Sequence, residues 1–228
     1  MKINRLYSVW IYGLFFTSFI FLGCAGPNLY SINMYYDAEQ TAIPGYVKAD
    51  AKVSGSMISV AEFTDTRKMD DRLVIGRVVE KSGMSVLVFP RNVRATRVIS
   101  SGINQYFKKA GYKVSSKTEQ WNLNESAIPE GEGKILIGGN IDELEISCRR
   151  GFPTNSYNAN IKLTIVFADM EKGKILYKRQ VQSNYTREHV SFSENILGEQ
   201  ASVVLADAIE KLFEDRNVAL KIRQVMAR

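Results

Sequence analysis

The side chains that most often do chemistry in proteins are scarce in this chain. Its 228 residues include one histidine, His189, and two cysteines, Cys24 and Cys148. Serine-type catalysis needs a histidine base beside a serine and an acid, and no Gly-x-Ser-x-Gly turn accompanies His189. A zinc site needs three or four histidine, cysteine or carboxylate ligands. The sequence therefore predicts no catalytic residue, no metal site and no cofactor, and we expect a protein that is not an enzyme.

A second group of side chains alternates in charge over eight residues. Asp65, Arg67, Asp70, Asp71 and Arg72 directly follow an apolar segment. The carboxylates lack the spacing of an EF-hand loop and cations interleave with them, so turn capping and exposed ion pairs are one interpretation. The other is a binding edge for a partner, because loops at strand ends often carry function.

A basic pair, Arg149-Arg150, ends another apolar segment. Four more cations lie on the next predicted hairpin: Lys172, Lys174, Lys178 and Arg179. Together they predict either a basic patch for anionic lipid or glycan, or an ordinary solvated surface. The residues that we predict to contact a partner are Asp65, Arg67, Asp71, Arg149 and Arg150.

Residues 1–23 have the three parts of a secretory signal. Lys2 and Arg5 precede an apolar block, residues 6–22, and Gly23 stands before Cys24. Residues 21–24 resemble the cleavage site of a bacterial lipoprotein signal. That resemblance implies that the Cys24 thiol carries a diacylglycerol and that Cys24 becomes the acylated first residue. The alternative is an uncleaved anchor, since seventeen apolar-rich residues just span a bilayer.

The lipoprotein resemblance also implies a location. Ala25 rather than aspartate follows Cys24, which favours the outer membrane, with the folded part facing the periplasm. With Cys24 lipidated, Cys148 has no partner for an internal disulfide, and we expect it to be a small buried apolar residue. The net charge of +6 is too small to indicate nucleic-acid binding.

The remaining chain predicts one α+β domain. Hydrophobic periodicity indicates two long amphipathic helices, at residues 91–110 and 193–213, and a short final helix capped by Asn217. The predicted strands are residues 57–63, 134–148 with a bulge at Gly138-Gly139, and a hairpin of residues 157–167 and 175–185. We expect a two-layer sandwich, with both long helices on one face of a mixed sheet and a solvated opposite face.

The predicted organisation has three parts: a signal peptide at 1–23, a lipidated tether at 24–55 and a periplasmic domain at 56–228. Residues 115–133 are polar and predict a mobile loop.

Four segments taken in order resemble the YajG-type outer-membrane lipoproteins, a family related in fold to the N-terminal domain of TolB. They are the strand from Ile58 into Arg67, the helix and strand around Gly111, the hairpin of residues 159–185, and the helix of residues 203–213 with its tail. The resemblance covers about three quarters of the chain and implies fold and location rather than an activity.

Two functions follow as hypotheses. The first is a non-enzymatic accessory or adaptor subunit of an envelope assembly or transport system, anchored through Cys24 and contacting a protein partner. The second is a module that binds lipid or peptidoglycan, for which we expect an apolar groove or exposed aromatic side chains around Trp121.

Overall fold

The computed structural model describes residues 29–50, 53 and 55–228. The predicted signal peptide and Cys24 lie outside the described residues. The described strands are β1 (Tyr30–Ile32), β2 (Met57–Val60), β3 (Thr64–Asp65), β4 (Gly76–Val79), β5 (Ser85–Pro90), β6 (Lys113–Val114), β7 (Ile135–Arg149), β8 (Asn155–Asp169) and β9 (Lys174–His189). The described α-helices are α1 (Ala95–Lys109), α2 (Glu194–Glu214) and α3 (Arg216–Met226).

Strand β7 lies at the centre of one mixed sheet. On one side it pairs antiparallel with β8 along its whole length, and β8 pairs antiparallel with β9. On the other side it has three parallel neighbours in turn, β2, β3 and β4. The sheet continues beyond β2 to β6, and beyond β4 to β5 and β1. Because β6 pairs parallel with β2, helix α1 lies in the connection that leads back to a parallel strand.

The helices cover one face of this sheet. Alternate side chains of β8, from Tyr157 to Phe167, are buried in one cluster with the inward residues of all three helices. The side chain of Ser193 caps α2 by accepting a hydrogen bond from the Ile196 N–H at 3.2 Å. Helix α3 is capped by Asp215 rather than by Asn217. The predicted α+β sandwich with a mixed sheet and its long helices on one face is confirmed.

The opposite face is polar along part of β8 and covered along the rest. Asn158, Asn160, Lys162 and Thr164 point to the polar part, where the Thr164 hydroxyl donates to Asp142 Oδ2 at 2.6 Å. Beyond Thr164 the same face carries Val166 and Ala168, and residues of the 115–133 segment pack over them.

The prediction of a mobile loop at residues 115–133 is wrong. Trp121 is only 5% exposed in a small cluster with Leu136 and Val166. Its indole N–H donates to the Asn124 carbonyl at 2.9 Å, so the polar tip of the ring is satisfied. Trp121, with Leu123 and Ile128 beside it, therefore packs the segment onto the sheet.

The predicted bulge at Gly138-Gly139 is also wrong, because β7 runs through both glycines and its register changes between Ile141 and Glu143. These positions are crowded. A Cβ atom on Gly138 would lie 2.8 Å from the Trp121 ring, and one on Gly139 would lie 2.4 Å from the Thr164 carbonyl oxygen. Close packing on both faces of the sheet explains the two glycines.

Residues 29–50 belong to the folded domain, which corrects the predicted tether for this part of residues 24–55. Ile32, Met34, Tyr36 and Val47 are buried in the main core. The segment contributes β1 to the sheet and then crosses the helices, where the Tyr46 hydroxyl donates to the Phe213 carbonyl at 3.0 Å. No helix among the described residues is long and apolar enough to cross a membrane.

Candidate functional site

The loop of residues 66–74, called here the 66–74 loop, joins β3 to β4 across the middle of β7. Asp65 at its start pairs with Ile141, and Gly76 after it pairs with Ile146. The loop is therefore held at both ends by the same central strand. Its position matches the charged cluster that the sequence analysis selected.

Arg67 is buried at the base of this loop, with 5% of its surface exposed. Its guanidinium binds Asp65 through both Nε and Nη2, at 2.9 and 2.7 Å to the two carboxylate oxygens. The remaining donors bind three backbone carbonyls: Val74 at 2.9 Å, Leu144 at 3.1 Å and Arg72 at 2.6 Å. Arg67 and Asp65 therefore brace the loop from within.

The outer part of the 66–74 loop is exposed and mixed in character. Met69 and Leu73 are apolar and 38% and 49% exposed, and Lys68, Asp70, Asp71 and Arg72 lie exposed among them. Asp71 Oδ1 accepts a hydrogen bond from the Leu73 N–H at 2.8 Å, which closes a local turn. Loops on a rigid scaffold often carry binding residues, and an ordered backbone lowers the entropic cost of binding.

A cleft borders the loop on each side. One, of about 630 Å³, lies between Met69 and the polar face of the sheet and reaches Leu87 and Glu145. The other, of about 350 Å³, lies between Leu73, Phe63 and the first turn of α1. The loop with its two clefts forms the candidate site for a partner.

The predicted partner residues do not form one surface. Asp65 lies opposite Ile141 of β7, whereas Arg149 is at the end of β7, opposite Val79. Ile141 and Arg149 are eight residues apart, which corresponds to about 26 Å of strand. The predicted basic patch is likewise wrong. Lys174 opposes Asp169 at the far end of the β8–β9 hairpin, about 45 Å of strand from the end that holds Arg149.

The end of the sheet that contains Arg150 has its own set of contacts, away from the 66–74 loop. It consists of residues 80–84, 149–154 and 189–192 and is called here the Arg150 end. Arg150 Nη1 binds Glu80 Oε2 at 2.6 Å, and its guanidinium lies over the Phe192 ring, 4.9 Å from the centroid. The Tyr30 hydroxyl donates to Glu80 Oε1 at 2.7 Å. Burial, together with this hydrogen bond to Glu80, raises the pKa of Tyr30.

His189 and Cys148 also lie near this end. His189 Nδ1 contacts the backbone and hydroxyl of Ser191 at 2.9 to 3.1 Å, which closes a turn two residues long. Cys148 is 1% exposed, as predicted, and burial raises the pKa of its thiol to about 11. Among the described residues, no group of three or more histidine, cysteine or carboxylate side chains could hold a metal ion.

A third cleft, of about 270 Å³, crosses the outer face of α2. Tyr35 and Tyr185 flank it and are 54% and 39% exposed. Its polar lining includes Glu210 and the fully buried Gln200, whose Oε1 has no hydrogen-bond partner among the described residues. Trp121 is buried on the opposite face of the sheet, so the expectation of exposed aromatic side chains around Trp121 is wrong.

The sequence predicts the 66–74 loop and, at the Arg150 end, only Arg149 and Arg150; it gives no sign of the other residues of that end or of the third cleft. The loop carries a local signal, a dense run of charges after a strand. Tyr30, Glu80, Arg150 and Phe192 come from four segments, so no spacing in the sequence connects them.

No family model matches the chain, and no curated protein matches it. Solved structures do resemble it. A protein from Xanthomonas campestris of the DUF330 family, XCC0632, has 12% identity and a TM-score of 0.53, over 86% of this chain and 98% of that one. The hypothetical protein CT253 from Chlamydia trachomatis has 7% identity and a TM-score of 0.40, over 72% and 98% of the two chains.

Lipoprotein GNA1162 from Neisseria meningitidis is a third similar structure. It has 12% identity and a TM-score of 0.35, over 70% of this chain and 99% of that one. The likeness to the Xanthomonas protein shows a shared fold.

Proposed function

We propose that this chain is an outer-membrane lipoprotein of the YajG type, which acts as a non-enzymatic accessory or adaptor subunit of a cell-envelope system. Cys24 carries the lipid, and the folded domain faces the periplasm. The 66–74 loop binds a protein partner. The observation that carries the proposal is this loop, where Met69 and Leu73 are exposed above a buried Arg67–Asp65 brace.

The brace supports recognition because it removes flexibility before binding. A loop that is already ordered loses less conformational entropy when a partner binds, so its apolar tips contribute more to affinity. Arg67 gives all of its donors to atoms of the domain itself. We therefore assign Arg67 and Asp65 to the support of the loop, and contact with the partner to Met69, Asp71 and Leu73.

The short link to the lipid supports a domain held close to the membrane. The first described strand begins at Tyr30, and five peptide steps separate Cys24 from Leu29. Five steps span at most about 18 Å. Two or more acyl chains anchor a protein stably. The partner in this proposal is therefore itself part of the envelope, within reach of the inner leaflet of the outer membrane.

In-cell photocrosslinking tests the partner. A photoreactive residue at Asp71 should give one dominant protein adduct, which mass spectrometry identifies. The matched control is Lys178, which is also exposed but lies on β9 away from the loop. Adducts of equal strength and identity at both positions, or none at Asp71, would refute the loop as a binding site.

The anchor has its own test. Cells grown with labelled palmitate should incorporate the label into the wild-type chain and not into the Cys24→Ser variant. Cys148→Ser is the matched control and should keep the label, since the Cys148 thiol is buried. Label retained in Cys24→Ser would show acylation at another residue and refute Cys24 as the site, and no label in the wild-type chain would favour the uncleaved anchor.

The third cleft favours peptidoglycan binding as a second candidate function. Exposed tyrosine rings beside carboxylate and amide groups suit a sugar, which offers both apolar faces and hydroxyl groups. Calorimetric titration of soluble peptidoglycan fragments should show binding that the Tyr35→Ala and Tyr185→Ala substitutions weaken. Leu87→Ala, an exposed change in another cleft, is the control. Absence of heat with the unmodified chain rejects this candidate.

A further inference from the structure

Four exposed apolar side chains cluster at the Arg150 end and beside it. Phe152 and Val190 are 92% and 75% exposed, and Met84 and Leu29 are 57% and 55% exposed. Phe152 lies in the turn from β7 to β8, and Val190 follows β9, whose last residue pairs with Asn155. Met84 ends the turn from β4 to β5, where its carbonyl accepts the Glu80 N–H at 2.8 Å.

Single exposed apolar residues are ordinary on protein surfaces, whereas several on adjacent turns need an explanation. Here three turns of one sheet end present them together. The Glu80 carboxylate beneath them already binds both Arg150 and Tyr30. The turns are therefore held in place by internal contacts and leave their apolar tips outermost.

The chain enters the fold at this same end. Strand β1 runs parallel to β5, with Tyr30 opposite Val88, and β5 starts beside Val79 at the Arg150 end. The first residue of β1 therefore faces the Arg150 end, and Leu29 precedes it there. The hydrogen bond from Tyr30 to Glu80 places the entry point against the β4–β5 turn. Cys24 is then within about 18 Å of Leu29.

The free charges at this end are mostly positive. Lys81 and Arg149 are exposed, and neither forms an ion pair with a carboxylate among the described residues. Glu188 is the exposed carboxylate nearby, and it accepts a hydrogen bond from Thr154 at 3.1 Å. Exposed cations around apolar tips suit the surface of a bilayer that contains anionic lipid.

We propose that the Arg150 end is a lipid-contacting face, in which Phe152, Val190 and Met84 enter the bilayer interface while Lys81 and Arg149 meet lipid phosphates. The inference rests on the proposed anchor, because Cys24 brings this end to the membrane. It adds an orientation: the β7–β8 turn points to the lipid. The 66–74 loop lies about 26 Å of strand away, towards the periplasm.

Quenching by brominated lipid tests this face. The full chain carrying Phe152→Trp is reconstituted into vesicles of phosphatidylethanolamine and phosphatidylglycerol, with bromine on the acyl chains. Contact with the interface should quench about half of the emission added by the substitution. The matched control is Leu73→Trp, an exposed apolar position on the 66–74 loop, whose added emission should stay at its value in unbrominated vesicles.

Each outcome decides the proposal. Strong quenching of Phe152→Trp with little quenching of Leu73→Trp supports it. Equal quenching at both positions, no quenching at either, or a chain that does not associate with the vesicles overturns it. Replacing Lys81 and Arg149 by Gln should also weaken the quenching of Phe152→Trp several-fold in these anionic vesicles. If the quenching is unchanged in this variant, the proposed contacts of Lys81 and Arg149 with lipid phosphates are refuted.

Absence of lipid on Cys24 can be distinguished from absence of contact between the Arg150 end and the bilayer. The mass of the Cys24 peptide reports lipidation directly. A chain that keeps residues 1–23 still reaches the membrane through that apolar segment, and the quenching comparison then applies unchanged.

Discussion

The 66–74 loop and the Arg150 end both expose apolar side chains, yet they are supported differently. Arg67 is 5% exposed and bonds to one carboxylate and three backbone carbonyls. Arg150 is about one-third exposed and bonds to Glu80 beside an aromatic ring. The loop is thus part of the core at its base, whereas the Arg150 end is a set of turns joined at the surface. We therefore expect substitutions at the base of the 66–74 loop to lower the free energy of unfolding more than substitutions at the Arg150 end.

The largest effect is expected from Arg67→Met. Removing one partner of a buried ion pair leaves Asp65 charged and unpaired and three carbonyls without donors, at a cost of about 3–5 kcal/mol of unfolding free energy. Chemical denaturation followed by circular dichroism measures it. The matched control is Arg77→Met, because Arg77 pairs with Glu145 at 3.3 Å with both side chains more than half exposed. Equal losses in the two variants would contradict the buried brace.

A smaller effect is expected from Glu80→Ala at the Arg150 end. It removes the hydrogen bonds to Arg150 and Tyr30, but Arg150 keeps contact with water. The expected loss is about 1–2 kcal/mol in the same denaturation experiment. Glu145→Ala, which breaks a pair with both side chains more than half exposed, provides the reference. A loss as large as that of Arg67→Met would mean that the two regions are supported alike.

Substitution of the loop tips should leave stability almost unchanged. The double variant Met69→Ser, Leu73→Ser alters two exposed side chains, so we expect a change within about 0.5 kcal/mol. In the same variant, the Asp71 photoadduct should fall to the level of the Lys178 control. An intact adduct in the double variant would show that the partner does not depend on the loop tips for binding. A large loss of stability would show that the tips support the fold.

The smallest effect concerns Cys148, beneath the Arg150 end. Its pKa of about 11 lies above the ordinary value of a free thiol, so burial favours the neutral thiol and the reactive thiolate is scarce at pH 8. A thiol reagent should label Cys148 at pH 8 only at the rate at which this end opens. Glu80→Ala should speed the labelling, and Arg77→Met should not. Rapid labelling of the unmodified domain would contradict a closed Arg150 end.

Local patterns were enough to predict the long helices and the long strands. The alternation along residues 157–167 places one side of β8 under the helices, and the apolar stripes of α1 and α2 are equally regular. The charged cluster after β3 coincides with the 66–74 loop, and its role in binding stays a prediction. Its internal roles could not be assigned, because the carbonyls of Val74 and Leu144 that hold Arg67 become its neighbours only when β4 joins β7.

Two segments were predicted incorrectly because their composition is mostly polar, while a few apolar side chains determine how they pack. Residues 115–133 are mostly polar, yet Trp121 packs against Leu136 and Val166 from distant strands. Residues 29–50 resemble a linker in sequence, yet Ile32 and Tyr36 complete the core above α1 and α2. One large buried side chain stabilises a segment by a few kcal/mol, which composition averaged over twenty residues does not register.

By itself, the sequence determined the α+β class, the helix and strand periods, the charged loop and the lipoprotein-like start of the chain. These properties depend on residues adjacent in the chain or one turn apart. Only the tertiary structure decided that Arg67 is a brace, that residues 29–50 are domain rather than tether, and that the Arg150 end gathers Phe152, Val190 and the chain entry. Those facts depend on contacts between segments far apart in sequence, which form when the sheet brings them together.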